Sequence, residues 1–213
     1  MASRQQLVYT LGQGLYITLT NTCTLACVFC PKVRDGDWTI GGYNLRLESE
    51  PTLDAIWRCA REAGITSASE VVFTGFGEST RRFNMLVELI DRLRAAGARR
   101  VRLDTDGLAN LREGRNVVPE LAKAGLDAIS VSVNAPDAAT YARICPNRYG
   151  QAAWNASCEF VRLSTLEIAE VTASFVGLPD LSEPECRELA RSLGARFRWR
   201  AYDRRESKPT GSS

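Results

Sequence analysis

Short segments rich in β-branched residues alternate along this chain with segments whose apolar residues recur at helical spacing. Strands are predicted at residues 15–20, 70–74, 101–105, 128–134, 170–176 and 196–201, and helices at residues 52–63, 82–96, 117–124, 137–144, 152–163 and 182–193. Strands that alternate with helices usually pair in parallel through right-handed crossovers. The pattern therefore predicts an α/β fold, a partial (β/α)6 TIM-type barrel with parallel strands.

The length of 213 residues fits a single domain, which we expect to span residues 1–206, with a flexible tail at 207–213. No apolar run approaches the roughly 20 residues that cross a bilayer, and the N-terminus has no signal-peptide pattern. We therefore expect a cytoplasmic protein with no membrane contact. A net charge of +2 is too small to indicate nucleic acid, so that class of partner stays open.

The chain contains seven cysteines and no histidine. The lack of histidine excludes Ser–His–Asp and Cys–His catalysis and zinc sites that need a histidine ligand. Three cysteines, Cys23, Cys27 and Cys30, form a C-x3-C-x2-C motif directly after the first predicted strand. An odd number of cysteines with three so close together favours a metal or iron–sulfur site in a reducing compartment over a disulfide framework.

Three thiolates at this spacing can bind three irons of a cubane and leave the fourth iron open to a small molecule. A zinc knuckle and three unrelated thiols are the alternatives, although zinc would need a fourth ligand at matching spacing. The other cysteines lie far along the chain and are expected to be buried, small apolar side chains: Cys59, Cys145, Cys158 and Cys186.

With Phe29 just before its last cysteine, the motif resembles the signature of the radical S-adenosylmethionine (SAM) superfamily. The flanking segments YITLTNTC and CPK are most similar to the TatD-associated radical SAM proteins, and the resemblance runs from Tyr16 to about Tyr202. It implies a [4Fe–4S] cluster on Cys23, Cys27 and Cys30, SAM on the open iron, and Phe29 against the adenine. It also implies an electron donor such as flavodoxin or ferredoxin, and a TatD-type nuclease as a candidate partner.

The loop after the second predicted strand reads Gly75-Phe76-Gly77-Glu78, which is an ordinary strand-to-helix turn when taken alone. Its position is similar to the G-G-E motif of the superfamily, with Phe76 in place of the second glycine. The resemblance implies that this loop contacts the methionine part of SAM, because glycine lets a ligand approach the backbone closely. Glu78 is the candidate for orienting that region.

Polar residues also end the next two predicted strands. Asp106 stands where relatives have the asparagine of a T-N-G turn, and an ordinary Asp-Gly turn is the alternative. Ser130, Ser132 and Asn134 share one face by the period of two, so they would point into a barrel. The resemblance implies that Ser132 and Asn134 contact the ribose and carboxylate of SAM, whereas a satisfied polar layer is the alternative.

Several arginines are candidates for the mouth of the barrel, where they would suit a carboxylate or phosphate on the substrate, although exposed arginine is common on any surface: Arg143, Arg148, Arg198 and Arg200. The implied reaction is reductive cleavage of SAM to methionine and a 5′-deoxyadenosyl radical, which abstracts hydrogen from an unknown substrate. The alternatives are a glycyl-radical activase, a deazapurine synthase-like enzyme, against which Lys32 argues, and a non-catalytic iron–sulfur partner protein.

Overall fold

A computed structural model describes residues 5–202 of the protein, so residues 1–4 and 203–206 of the predicted domain and the whole predicted tail lie outside the described residues. The main sheet has seven strands in the order β1-β2-β5-β6-β7-β8-β9. Their bounds are β1 Val8–Leu11, β2 Gly14–Ile17, β5 Glu70–Phe73, β6 Val101–Thr105, β7 Ala128–Ser132, β8 Glu170–Gly177 and β9 Arg196–Ala201. A two-stranded hairpin, β3 Thr39–Ile40 with β4 Tyr43–Asn44, lies apart from the main sheet.

Eight α-helices lie within the described residues, and the longer ones pack against one face of the sheet. The eight helices are α1 Pro31–Arg34, α2 Leu53–Glu62, α3 Phe83–Ala95, α4 Ala109–Glu113, α5 Val118–Lys123, α6 Ala138–Ile144, α7 Ala152–Glu167 and α8 Glu183–Ser192. Strands β2 and β5 to β9 all pair in parallel, which confirms the predicted α/β partial-barrel architecture. The edges of the described sheet are β1 and β9, so the barrel is an open arc.

Strand β1 departs from the all-parallel prediction because it pairs antiparallel with β2 across a two-residue turn at Gly12 and Gln13. The strand predicted at residues 128–134 ends earlier, at Ser132. It ends there because Asn134 adopts a left-handed backbone conformation, with φ of 62°, that cannot continue a strand.

The two faces of the sheet differ in polarity because its strands alternate apolar and polar residues. Phe73, Leu103, Ile129 and Phe175 are fully buried with the helices in the main hydrophobic core. The opposite face carries polar residues that lie side by side on neighbouring strands. Asp104 on β6 is paired with Ser130 on β7. Closer to the carboxyl ends, Ser174 on β8 is paired with Ser132 on β7 and with Arg198 on β9. This polar face forms the inner wall of the arc.

Candidate active site

The cysteine loop lies across the carboxyl ends of the strands and closes a cavity of about 310 Å³. Cys23, Cys27 and Cys30 all line this cavity and are all half-buried. The predicted cofactor residues also line it, namely Phe29, Gly75, Phe76, Gly77, Glu78, Asp106, Ser132 and Asn134. The structure therefore brings together all eleven residues that were predicted from the sequence. Which group each of them binds stays a prediction.

Backbone hydrogen bonds fix the cysteine loop at two places. On one side, Ala26 N and Val28 N donate to Pro146 O and Ile144 O, both at 2.9 Å. On the other side, Glu78 N donates to Thr22 O at 2.9 Å. The loop is thus held between the segment after α6 and the loop after β5.

Lys32 adds a charged contact between these loops. Its ammonium group donates to Asn21 O at 3.1 Å and to Phe76 O at 2.9 Å, and it lies 5.1 Å from the ring centre of Trp38. The side chain of Phe76 packs edge-on against the same Trp38 ring, with centroids 5.7 Å apart. Lys32 therefore ties the cysteine loop to the glycine loop, a role that its position after the motif did not reveal.

Gly77 is required by the protein's own backbone. A Cβ at this position would lie 1.9 Å from the carbonyl oxygen of Thr20, far inside any real contact. At Gly75, with φ of 135°, a Cβ would lie 2.9 Å from Thr18 Oγ1. The close approach that these glycines permit is therefore between two loops of this chain, in addition to any approach by a ligand.

Glu78 is buried beneath the cavity and its carboxylate is saturated with hydrogen bonds. It accepts from Thr80 N at 2.9 Å, Thr80 Oγ1 at 2.6 Å, Thr105 Oγ1 at 2.9 Å and Asp106 N at 2.7 Å. Burial, reinforced by the charge of Asp106, raises the pKa of Glu78 to about 7, while Arg112 and Thr80 oppose the shift. Glu78 therefore orients the surrounding loops from inside the protein.

Arg112 completes this buried network and could not be recognised from the sequence. Its guanidinium lies 3.1 Å from the carboxylate of Asp106, and both side chains are less than a tenth exposed. It also donates to Thr24 Oγ1 of the cysteine loop at 2.8 Å. The carboxylate of Asp106 thus pairs with Arg112 and also accepts a hydrogen bond from Leu108 N at 2.8 Å. These two contacts fix the turn at the end of β6 below the cysteine loop.

The far wall of the cavity carries arginines from β9. Arg200 donates to Asn134 Oδ1 at 3.2 Å, and its buried Nε has no hydrogen-bond partner among the described residues. Arg198 also lines the cavity, and no hydrogen bond or ion pair engages it within residues 5–202. The other two predicted arginines lie elsewhere, since Arg143 pairs with Asp180 at 2.6 Å and Arg148 donates to Tyr149.

The remaining cysteines largely match their expected character, because Cys145, Cys158 and Cys186 are buried and Cys59 is half-buried. Although Cys145 lies far from the motif along the chain, the fold brings it against the motif. Its Sγ lies 3.4 Å from Sγ of Cys27, because the segment after α6 folds back against the cysteine loop. A separation of 118 residues hid this contact from sequence reasoning.

A family profile for the Radical SAM superfamily matches residues 17–193, a range that includes all three cavity-lining thiols and every predicted cofactor residue. The chain belongs to the radical SAM superfamily. Members of this superfamily use a [4Fe–4S] cluster and SAM. None of the helices in the described part of the chain has the length and apolar character of a membrane span.

Among curated relatives, a GTP 3′,8-cyclase from Mycobacterium sp. strain KMS is 34% identical over 152 residues, which cover 68% of this chain and 39% of that protein. A probable GTP 3′,8-cyclase from Metallosphaera sedula is 32% identical over 123 residues, covering 58% of this chain and 34% of its own length. This radical SAM chain thus spans less than two-fifths of these relatives.

Solved structures resemble the fold at lower identity. A radical SAM methyltransferase from Sphaerobacter thermophilus aligns with a TM-score of 0.61 and 21% identity, covering 95% of this chain and 60% of that one. A methylornithine synthase aligns with a TM-score of 0.62 and 15% identity, covering 92% and 55%. These similarities support the partial-barrel fold and do not specify a reaction.

The cavity suits the two groups that radical SAM enzymes bind. Three thiols on one loop provide the cysteine donors that an iron–sulfur cluster needs. An apolar wall built by Leu25 and Phe29 next to buried Val176 and Leu178 offers a surface for a planar base. The buried Nε of half-buried Arg200, which has no partner among residues 5–202, offers a donor to a carboxylate.

Proposed function

We propose that this member of the radical SAM superfamily is an enzyme that acts on a substrate carrying an anionic group, with Cys23, Cys27 and Cys30 as ligands of the cluster. SAM is proposed to contact Phe29, the loop at residues 75–78, Asp106, Ser132 and Asn134. When bound, the cluster and SAM together supply a 5′-deoxyadenosyl radical, which removes a hydrogen atom from the substrate. The protein's own contribution is to orient these groups and to exclude water.

The observation that carries the proposed substrate class is the position of Arg198. It lines the cavity two residues before Arg200, on the polar face of the sheet, without an ion pair among the described residues. The nearby carboxylate of Asp104 is already bonded to Arg102. SAM has one carboxylate, for which Arg200 is the proposed partner, so Arg198 is left to bind a carboxylate or phosphate of the substrate.

GTP is the first substrate to test, because relatives named GTP 3′,8-cyclases match up to 68% of this chain and because a triphosphate would satisfy Arg198. The resemblance of the cysteine segment to TatD-associated proteins instead supports a role beside a TatD-type nuclease. A cytoplasmic setting and electron supply by a flavodoxin or ferredoxin belong to the same proposal.

The reaction class is tested with anaerobically reconstituted protein, SAM and dithionite. We expect release of methionine and 5′-deoxyadenosine, and we expect the Cys27→Ala variant to bind little iron and release neither. Methionine and 5′-deoxyadenosine that stay at background with fully loaded protein would contradict the enzymatic proposal and favour a non-catalytic iron–sulfur partner. Consumption of GTP in the same assay would identify the substrate.

The substrate class is tested separately by equilibrium binding of GTP, inorganic pyrophosphate and citrate to the loaded protein. We expect Arg198→Gln to weaken binding of the preferred anion about tenfold, equivalent to about 1.4 kcal/mol. Arg196→Gln is the matched control, because Arg196 lies on the same strand but already pairs with Glu170 at 2.6 Å. Equal affinities in wild type and Arg198→Gln would reject Arg198 as the anion site.

A further inference from the structure

Cys27 and Cys145 face each other across two antiparallel segments of backbone. The bonds from Ala26 N to Pro146 O and from Val28 N to Ile144 O, both 2.9 Å long, bracket the two cysteines. The residues are therefore directly opposed, and their Sγ atoms are 3.4 Å apart.

This arrangement meets the geometric requirement for a disulfide. Directly opposed residues of an antiparallel β-ladder have Cα atoms about 4.5–5.5 Å apart, and the two flanking bonds between the cysteine loop and the end of α6 indicate a similar approach of Cys27 and Cys145. That separation lies inside the range of about 4.4–6.8 Å over which a disulfide forms. The sulfurs, which are 3.4 Å apart, would close to about 2.05 Å to form the bond.

The two thiols differ in access. Cys27 is half-buried and lines the cavity, whereas Cys145 is fully buried behind it. The side-chain amide of Asn134 lies 3.6 Å from Sγ of Cys145 and donates to it, which keeps this thiol facing Cys27. A small oxidant entering the cavity would meet Cys27 first, and Cys145 is placed to attack the resulting adduct from behind.

We propose that the cluster-free protein closes a Cys27–Cys145 disulfide when it meets a small disulfide such as oxidised glutathione. The Cys27 thiolate attacks one glutathione sulfur, and the other glutathione leaves as a thiolate. The Cys145 thiolate then attacks the sulfur of Cys27 in this mixed disulfide and releases the second glutathione. Two protein thiols are oxidised, one glutathione disulfide is reduced to two glutathione molecules, and the two protons pass to water or to the released thiolates.

The bond would withdraw one proposed cluster ligand while the cluster is absent. A disulfide can be reversed by thiols, whereas oxidation of an exposed thiol to a sulfinic acid generally cannot. The disulfide to Cys145 would therefore protect Cys27 from irreversible oxidation, and reduction of the disulfide would make Cys27 available again for cluster assembly.

The test treats full-length cluster-free protein with oxidised glutathione, blocks free thiols, and maps tryptic peptides without reduction. We expect a linked pair of peptides, residues 5–32 and 144–148, that dithiothreitol separates. Cys145→Ser should lose this pair and retain glutathione on the 5–32 peptide, because the second exchange step is missing. Cys158→Ser is the control, since Cys158 is buried in α7 and should leave the link unchanged.

Two further arms locate the bond and its link to the cluster. Cys27→Ser should abolish the linked pair, whereas Cys23→Ser and Cys30→Ser should keep it. Cluster-loaded protein should show the link only in proportion to the iron it has lost. A link that persists in Cys27→Ser, fully reactive thiols in treated wild type, or equal linking with and without iron would overturn the proposal. None of these readouts depends on SAM cleavage or on a substrate, so they are independent of the proposed function.

Discussion

A single ammonium group joins the two loops that frame the active site. Lys32 donates to backbone carbonyls of Asn21 and Phe76, and each bond from a charged donor contributes about 1.5–3 kcal/mol where the acceptor is shielded from water. The same position after the cysteine motif argued against a deazapurine synthase-like enzyme. The structure adds a positive reason for lysine, because a shorter or neutral side chain would leave both carbonyls without this donor.

We expect Lys32→Met to lower the free energy of unfolding of the cluster-free protein by about 3 kcal/mol, the low end for the loss of two such bonds at a half-buried site, since the variant keeps the apolar stem. Urea denaturation measures this change, and a chelator assay on the loaded protein should show faster iron release. Lys123→Met on the exposed face of α5 is the control and should stay within about 0.5 kcal/mol of wild type. Unchanged urea midpoints in Lys32→Met would disprove the loop-joining role.

At the scale of elements, helix α6 matters because the segment that follows it holds the cysteine loop. The helix begins after Asp137, whose carboxylate accepts from Thr140 N at 2.9 Å and from Thr140 Oγ1 at 2.7 Å. These hydrogen bonds hold the pKa of Asp137 below its usual value, so the ionised cap is favoured in the folded protein.

Asp137→Ala should lower stability by about 1 kcal/mol at pH 7, the usual effect of removing a helix cap. Because the folded-state pKa is lowered, this contribution is complete above the unfolded value of about 3.9 and is lost as the pH falls through the folded value. Urea titrations at several pH values should therefore show that the difference in free energy of unfolding between wild type and Asp137→Ala becomes smaller below about pH 4. Asp54→Ala is the control, because Asp54 lies in the first turn of α2 but does not cap it, and it should show no comparable loss of stability. A loss of stability in Asp137→Ala that does not change with pH would refute the capping role.

Local signals in the sequence were sufficient for most elements and for the residues of the cavity. The alternation of strands and helices placed Gly75, Asp106 and Ser132 at neighbouring strand ends, and parallel pairing alone brings such ends together. Contacts between distant segments had no such signal. Cys145 approaches Cys27, and Arg112 approaches Thr24, because of the way the loops fold over the sheet. Strand β1 forms because it pairs with β2, and residue propensities do not specify that pairing.

At the scale of the whole molecule, the arc of strands has two different edges. Strand β1 pairs only with β2 and strand β9 only with β8 in the described sheet, whereas β5, β6, β7 and β8 have neighbours on both sides. A strand at an edge presents unpaired amide and carbonyl groups that can accept a further strand. The edge at β9 lies beside Arg198 and Arg200, so whatever covers it would also border the substrate side of the cavity.

Amide hydrogen exchange should divide the sheet accordingly. We expect the slowest exchange in β5, β6 and β7, and rapid exchange at those amides of β9 that face away from β8. Mass spectrometry of short peptides, or NMR of the cluster-free protein, would resolve the two groups. Protection throughout β9 equal to that in β7 would mean that another strand, from a second copy or from residues beyond 202, covers this edge.

The contact between Gly77 and Thr20 has a consequence for mutational screens. A library selected only for protein abundance, with no iron and no SAM supplied, should already discard every side chain at position 77, because the collision with the Thr20 carbonyl precedes any chemistry. Intolerance at a signature position would then report on folding, and only a separate titration of SAM could assign that glycine a part in catalysis.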